Sequence, residues 1–113
     1  MTCEITQRNA EKCTFIIKGL PSKEELSNLV DIFFTAGEYN KVFSEGDGRV
    51  FEKNLKIKKL FSSAEKPFKI IVGLGEGENQ FAIVTKKDPA VSGASADKEF
   101  MIVNDAIKIY FNR

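Results

Sequence analysis

Cys13-Thr14-Phe15-Ile16-Ile17-Lys18-Gly19-Leu20-Pro21-Ser22-Lys23-Glu24-Glu25-Leu26 decides how this chain folds. The first six residues are rich in β-branched and aromatic side chains, the composition of a strand. Gly19-Leu20-Pro21 punctuates it and ends it. Ser22-Lys23-Glu24-Glu25 then has the form of a capping box, in which the Ser22 hydroxyl accepts from the Glu25 amide and the Glu25 carboxylate reaches back. Leu26, Leu29, Val30 and Phe33 follow at i, i+3, i+4 and i+7, and Gly37 supplies a stop. The spacing predicts a helix over 22–36, with Glu24 and Glu25 at its positive end.

Outward from this strand-then-helix unit, strand patterns dominate. Lys41–Ser44 and Arg49–Glu52 flank Glu45-Gly46-Asp47-Gly48 and read as a hairpin. Phe68–Val72 and Phe81–Val84 are strands joined through the glycine-rich segment Gly73–Asn79. Lys53–Ser63 supports two readings: Leu55 and Ile57 alternate with lysines as in a strand, while Ile57, Leu60, Phe61 and Ala64 fit a helical face. Asp88–Asp97 reads as a loop or a short helix. Phe100–Val103 and Ile107–Phe111 are predicted strands with a turn at Asn104-Asp105, and the alternative is a helix with Phe100, Val103, Ile107 and Tyr110 on one face. The polar stretch Thr6 to Glu11 has the composition of a hairpin turn. No repeat, linker or low-complexity tract interrupts the chain. The expectation is one α+β domain over residues 1–113, a mainly antiparallel sheet packed by the well-capped helix.

With 113 residues, 42% apolar and 29% charged, the chain is of a size and balance that supports a single core. A net charge of +1 creates no global field for nucleic acid or an anionic membrane. The local balance differs: residues 41–70 hold eight Lys/Arg against four Asp/Glu, so electrostatic recognition is expected in the middle of the chain. There is no basic and apolar leader at the N-terminus, and no apolar run approaches membrane-spanning length. The chain reads as intracellular, and Cys3 and Cys13 as small reduced side chains rather than a disulfide or metal set.

Histidine and tryptophan are absent from the whole sequence. Without imidazole the commonest general base and the commonest zinc ligand are missing. Carboxylate pairs at Glu24/Glu25, Glu76/Glu78 and Asp97/Glu99 are accounted for by helix-cap and solvated-loop roles. Gly73-Leu74-Gly75-Glu76-Gly77 invites a phosphate-loop reading, but acids and a strand follow where that chemistry needs Lys-Ser/Thr and a helix. No catalytic residue, metal site or cofactor is expected, and the chain is not expected to be an enzyme. The candidate partner-binding residues are Lys53, Lys56, Lys58 and Lys59, with Phe81 as an aromatic neighbour. As a strand this segment places Lys56 and Lys58 on one face; as a helix it aligns Lys53, Lys56 and Lys59.

Phe15–Pro21 followed by Ser22–Leu26 resembles the first strand and helix of an RNA recognition motif. Phe81-Ala82-Ile83-Val84-Thr85 resembles that family's central strand, and Ile107–Phe111 its last. The resemblance implies a ferredoxin-like fold whose sheet aromatics stack bases. Here the stacking positions fall on Ile16, Phe81 and Ile83, which keeps one ring of three and implies a sheet turned to a protein partner. The expected function is therefore a small non-catalytic intracellular binding protein that occupies a macromolecular partner, as inhibitors, immunity proteins and adaptors do. The alternative is single-stranded RNA or DNA binding through the basic 53–59 segment.

Overall fold

The capping box forms. Ser22 is the N-cap, its hydroxyl accepting from the Glu25 amide at 3.2 Å, and helix α1 runs Lys23–Ala36 before the Gly37 amide returns to the last-turn carbonyls. Leu26, Val30 and Phe34 are buried, while Leu29 and Phe33 sit half-buried at the border of the stripe. The expected stripe was thus centred one residue off: positions i, i+4 and i+8 face the core squarely, and Phe34 takes the place assigned to Phe33.

The computed structural model describes residues 1–58, 63–87 and 94–113, with side chains at all of these except 57, 58, 63 and 64. Around α1 lie strands β1 (Thr2–Arg8), β2 (Lys12–Lys18), β3 (Asn40–Glu45), β4 (Gly48–Lys58), β5 (Ser63–Glu76) and β6 (Gln80–Lys86), and helix α2 (Ala94–Tyr110). The strands form one antiparallel six-stranded sheet in the order β1-β2-β6-β5-β4-β3. The path β2–α1–β5 leaves a gap that β6 fills, a split β-α-β arrangement, with the β3–β4 hairpin added on the far side.

Local chemistry sets the turns. Asn9 Oδ1 accepts from the amides of Glu11 and Lys12, both at 2.9 Å, so the β1–β2 turn is tighter than the expected Thr6–Glu11 span. Gly46, at φ +55, takes the first central position of the two-residue β3–β4 turn, a conformation costly for a side chain. The glycine-rich segment is strand as far as Glu76, and only 77–79 turn. Cys3 pairs with Ile17 and Cys13 with Arg8, at opposite ends of the hairpin, and both thiols are free and buried.

Two expectations are resolved by the ladder. Lys53–Lys58 is strand, paired with β5 from Lys53↔Phe68 to Lys58↔Ser63. The last β5 pair with β6 is Ile70↔Lys86, so beyond it β4 and β5 continue as a two-stranded arm. Lys59 lies outside the described residues. At the C-terminal end the strand expectation is corrected: Phe100–Val103 and Ile107–Phe111 belong to α2 and its final turn, as does the piece matched to the last strand of the RNA recognition motif. The isoleucines favour strand locally, but Phe100, Val103, Asn104, Ile107 and Phe111 are buried at helical spacing against the sheet. Tertiary burial outweighs a propensity difference of a few tenths of a kcal/mol per residue.

Both helices cover one face of the sheet. Phe15, Ile17, Phe51, Phe68, Ile70, Val72, Leu74, Ala82 and Val84 point into a single core with Leu26, Val30, Phe34, Phe100, Val103 and Ile107. Phe34 stacks on Phe51 with centroids 4.4 Å apart, and Phe33 meets Tyr110 of α2 at 5.3 Å. Met1 and Arg113 exchange backbone hydrogen bonds, each 3.0 Å, which ties the start of β1 to the end of α2.

Candidate functional site

Strand periodicity sends alternate residues to the other face, where Ile16 of β2, Phe81 and Ile83 of β6, Ile71 of β5 and Val50 of β4 form an apolar centre among Thr14, Thr85 and charged residues nearer the strand ends. Cross-strand register aligns Ile16 with Phe81 and Gly75, Thr14 with Ile83 and Gly73, and Thr85 with Ile71 and Val50. Phe43 of β3 pairs with Val50 and extends the last row. Ile16, Phe81, Ile83, Ile71 and Val50 are half-buried by their neighbours alone, and Phe43 is 54% exposed. No described helix covers this surface.

Phe81 reaches over β5. A Cβ built on Gly75 would lie 2.0 Å from Phe81 Cζ, so the glycine is what lets the ring close down on β5. Gly73, in the next row, has nothing over it, so Ile83, Ile71 and the Phe81 ring border a shallow apolar depression with a backbone floor.

Charges on this face are arranged in pairs. Lys18 faces Glu4 at 3.9 Å, and Lys69 faces Glu52 at 3.6 Å. Lys56, exposed on the arm, stands opposite Glu65. Lys53 points to the helix side instead. Its ammonium contacts Glu99 Oε1 at 3.5 Å and lies 5.3 Å from the Tyr39 ring centre. The lysines predicted as a group are therefore split: Lys53 faces the helices, Lys56 the open side, Lys58 is strand with its side chain outside the description, and Lys59 is outside altogether. Phe81 sits on the open face opposite Gly75, far along β5 from Glu65, which stands opposite Lys56.

The carboxylates of α2 serve the core. Tyr39 donates to Glu99 at 2.9 Å; burial first, and then the Glu99 charge, push the phenol far above its ordinary range. Lys86, only 4% exposed, donates to Asp97 and fastens β6 to the start of α2. Beside this contact a cleft of ≈ 530 Å³ lies between the β1–β2 turn and α2, where Arg8 is paired with Asp105 at 2.9 Å and Asp97 with Lys86. Burial raises the Cys3 thiol to about 11, with Cys13 adding to it, and burial also raises Cys13. Such thiols are poor nucleophiles near neutral pH.

The sequence points to Phe81 and Lys56 on this face, and the family resemblance adds Ile16 and Ile83. Ile71, Val50 and Phe43 went unassigned, yet a signal was present. Phe15-Ile16-Ile17, Ile70-Ile71-Val72 and Phe81-Ala82-Ile83-Val84 are unbroken apolar runs, where an antiparallel strand with one wet face alternates.

No protein-family model matches the chain, and no curated protein matches it in sequence.

Proposed function

We propose that this chain is a non-catalytic binding protein that works by contact, presenting the uncovered sheet face to a protein partner. The observation that carries the reading is the group of Ile16, Phe81, Ile83, Ile71 and Val50 on the face of the sheet that neither helix covers. The mutual pairing of Glu4 with Lys18 and Glu52 with Lys69 supports a protein rather than a nucleic acid. Protein interfaces are depleted of charge at their centre, whereas phosphate binding needs cations left free for it. Occupying a partner in the manner of an inhibitor, immunity protein or adaptor fits such a surface, and the reduced thiols suit an intracellular setting.

The test is affinity capture from the native host with the wild-type chain, an Ile83→Lys/Phe81→Glu variant and an Ile109→Glu control on the outer side of α2. Recovery of a protein by the wild type and the control, and its loss with the open-face variant, supports the reading. Recovery unaffected by the open-face change overturns it.

A second reading rests on the arm. β4 and β5 project past the sheet as a two-stranded ribbon bearing exposed Lys56 and Lys66, and such a ribbon fits a nucleic-acid groove. Phe81 would then be the one stacking ring. Anisotropy titrations with generic oligonucleotides at low and high salt decide this: absence of micromolar binding at low salt eliminates it, and steep salt-dependent binding favours it.

A further inference from the structure

The cleft between the β1–β2 turn and α2 lies on the helix side of the sheet, away from the open face, and its ≈ 530 Å³ is the size of a small-molecule site. Ala10 of the turn and Ala94, Phe100 and Met101 of α2 make its walls mainly apolar. Its polar groups are few, and most already have partners. Arg8 is paired with Asp105, Asp97 with Lys86, and Asn9 Oδ1 accepts two amides of its own turn.

Two polar groups remain. Asn104, 1% exposed, belongs to the wall, and its Oδ1 has no hydrogen-bond partner among the described residues. A buried acceptor without a donor is destabilising and rare in folded chains. Phe100, Val103 and Ile107, its neighbours on α2, are all buried, so an apolar side chain would suit this position better than an amide. Lys98 is exposed at the mouth and has no carboxylate partner among the described residues. An occupant that satisfies both groups carries a donor for Asn104 Oδ1 and a negative charge for Lys98. The two residues are six positions apart on α2, about 9 Å along its axis, and the wall between them is apolar.

We propose that this cleft binds a small organic acid with a ring-sized apolar body and one O–H or N–H donor, its carboxylate at Lys98 and its donor on Asn104 Oδ1. The site is separate from the open sheet face, and it stands whether or not a protein binds there. Charge selects the acid. With Arg8 and Asp97 neutralised by their partners, Lys98 is the unbalanced charge among the described wall residues, and it repels an ammonium group from the same place. Asn104 supplies the discrimination, because an analogue without the donor leaves the buried acceptor unpaired. Oδ1 is closed to bulk water as the cleft stands. Met101, one turn before Asn104 and 53% exposed, has the flexible thioether that yields to admit the donor.

The experiment is a titration followed by the backbone amide signals in NMR, with 4-hydroxyphenylacetate, phenylacetate and tyramine as probes, each up to about 10 mM. The expected result is shifts confined to residues 8–10 and 94–104. The hydroxylated acid is expected to bind tightest, with phenylacetate and tyramine each weaker by about fivefold or more. Asn104→Leu is expected to melt no lower than the wild type and to bind the two acids equally. Lys98→Glu, at an exposed position, is expected to melt unchanged and to lose the preference for 4-hydroxyphenylacetate over tyramine. If Asn104→Leu fails to fold, the wild-type ranking and Lys98→Glu decide alone. Absence of shifts with either acid overturns the proposal, as do shifts centred elsewhere. Equal binding of the two acids by the wild type also overturns it, since Oδ1 is then met by water rather than by the occupant.

Discussion

The Phe81 ring occupies the space that a side chain on Gly75 would need. Ring and glycine sit opposite each other on β6 and β5, so the missing Cβ on one strand is the seat for the aromatic on the other. Gly75→Ala is expected to lift the ring and cost about 1–3 kcal/mol, the range of overpacking. Phe81→Leu combined with Gly75→Ala should recover part of that loss. Thermal melts of the two single variants and the double variant give the coupling, and additive effects would contradict the arrangement.

Phe34 and Phe33 are neighbours in sequence and unequal in the core. Phe34, 1% exposed and stacked on Phe51, is expected to cost about 3–5 kcal/mol on Phe34→Ala. Phe33→Ala should cost clearly less, because its ring is half-buried between α1 and Tyr110. Denaturant titrations rank the two, and a reversed order would mean that α1 is rotated from the position described.

Stability should fall on the alkaline side. The Cys3 thiol is raised from 9.0 to about 11 in the folded chain, so the folded state holds this proton more tightly than the unfolded state does. That contribution is intact below pH 9 and is lost as pH rises from 9 to about 11, amounting to ~2–3 kcal/mol. Tyr39, raised in the same direction by burial and by Glu99, extends the decline upward from its ordinary value of 10.0. Urea titrations at successive pH values check this, and Cys3→Val should lessen the fall between pH 9 and 11, with Cys13 and Tyr39 supplying what remains. A flat wild-type profile would contradict the burial of both groups.

Two lysines of the same strand should behave differently. Lys53→Ala removes the partner of Glu99 and the cation over Tyr39, so a loss of about 1 kcal/mol is expected. Lys56→Ala, exposed on the arm, should change stability by less than about 0.5 kcal/mol. Melting temperatures of the two variants decide whether the basic segment is one patch or two unrelated positions.

Much of the fold was legible because its signals are local. Ser22, Glu25 and Gly37 mark both ends of α1 with hydrogen-bonding groups that act within one turn, and Gly46 marks the β3–β4 turn by its backbone freedom. The tail was not legible in the same way. Its isoleucines favour strand locally, and the choice of helix is made by Phe100, Val103 and Ile107 finding the sheet, a contact that no short window contains. β1 was missed because only Cys3 and Ile5 face inward among polar neighbours. The lysines of 53–59 could not be oriented from a charge count, which says nothing of direction: alternation along β4 sends Lys53 to Glu99 and Lys56 to the other side. The centre of the open face was written in the sequence, in apolar runs that do not alternate, but finding it required knowing that both helices share one layer.

The backbone exchange between Met1 and Arg113 makes the chain nearly circular. Joined there and opened instead at Asn9–Glu11, its elements would run β-α-β-β-β-β-α-β, with the former first strand arriving last beside β2. Apart from the inserted β3–β4 hairpin, that is the succession of a ferredoxin-like domain. The sheet is the same wherever the ring is cut, so its geometry belongs to the neighbourhood of strands rather than to the order in which they are threaded.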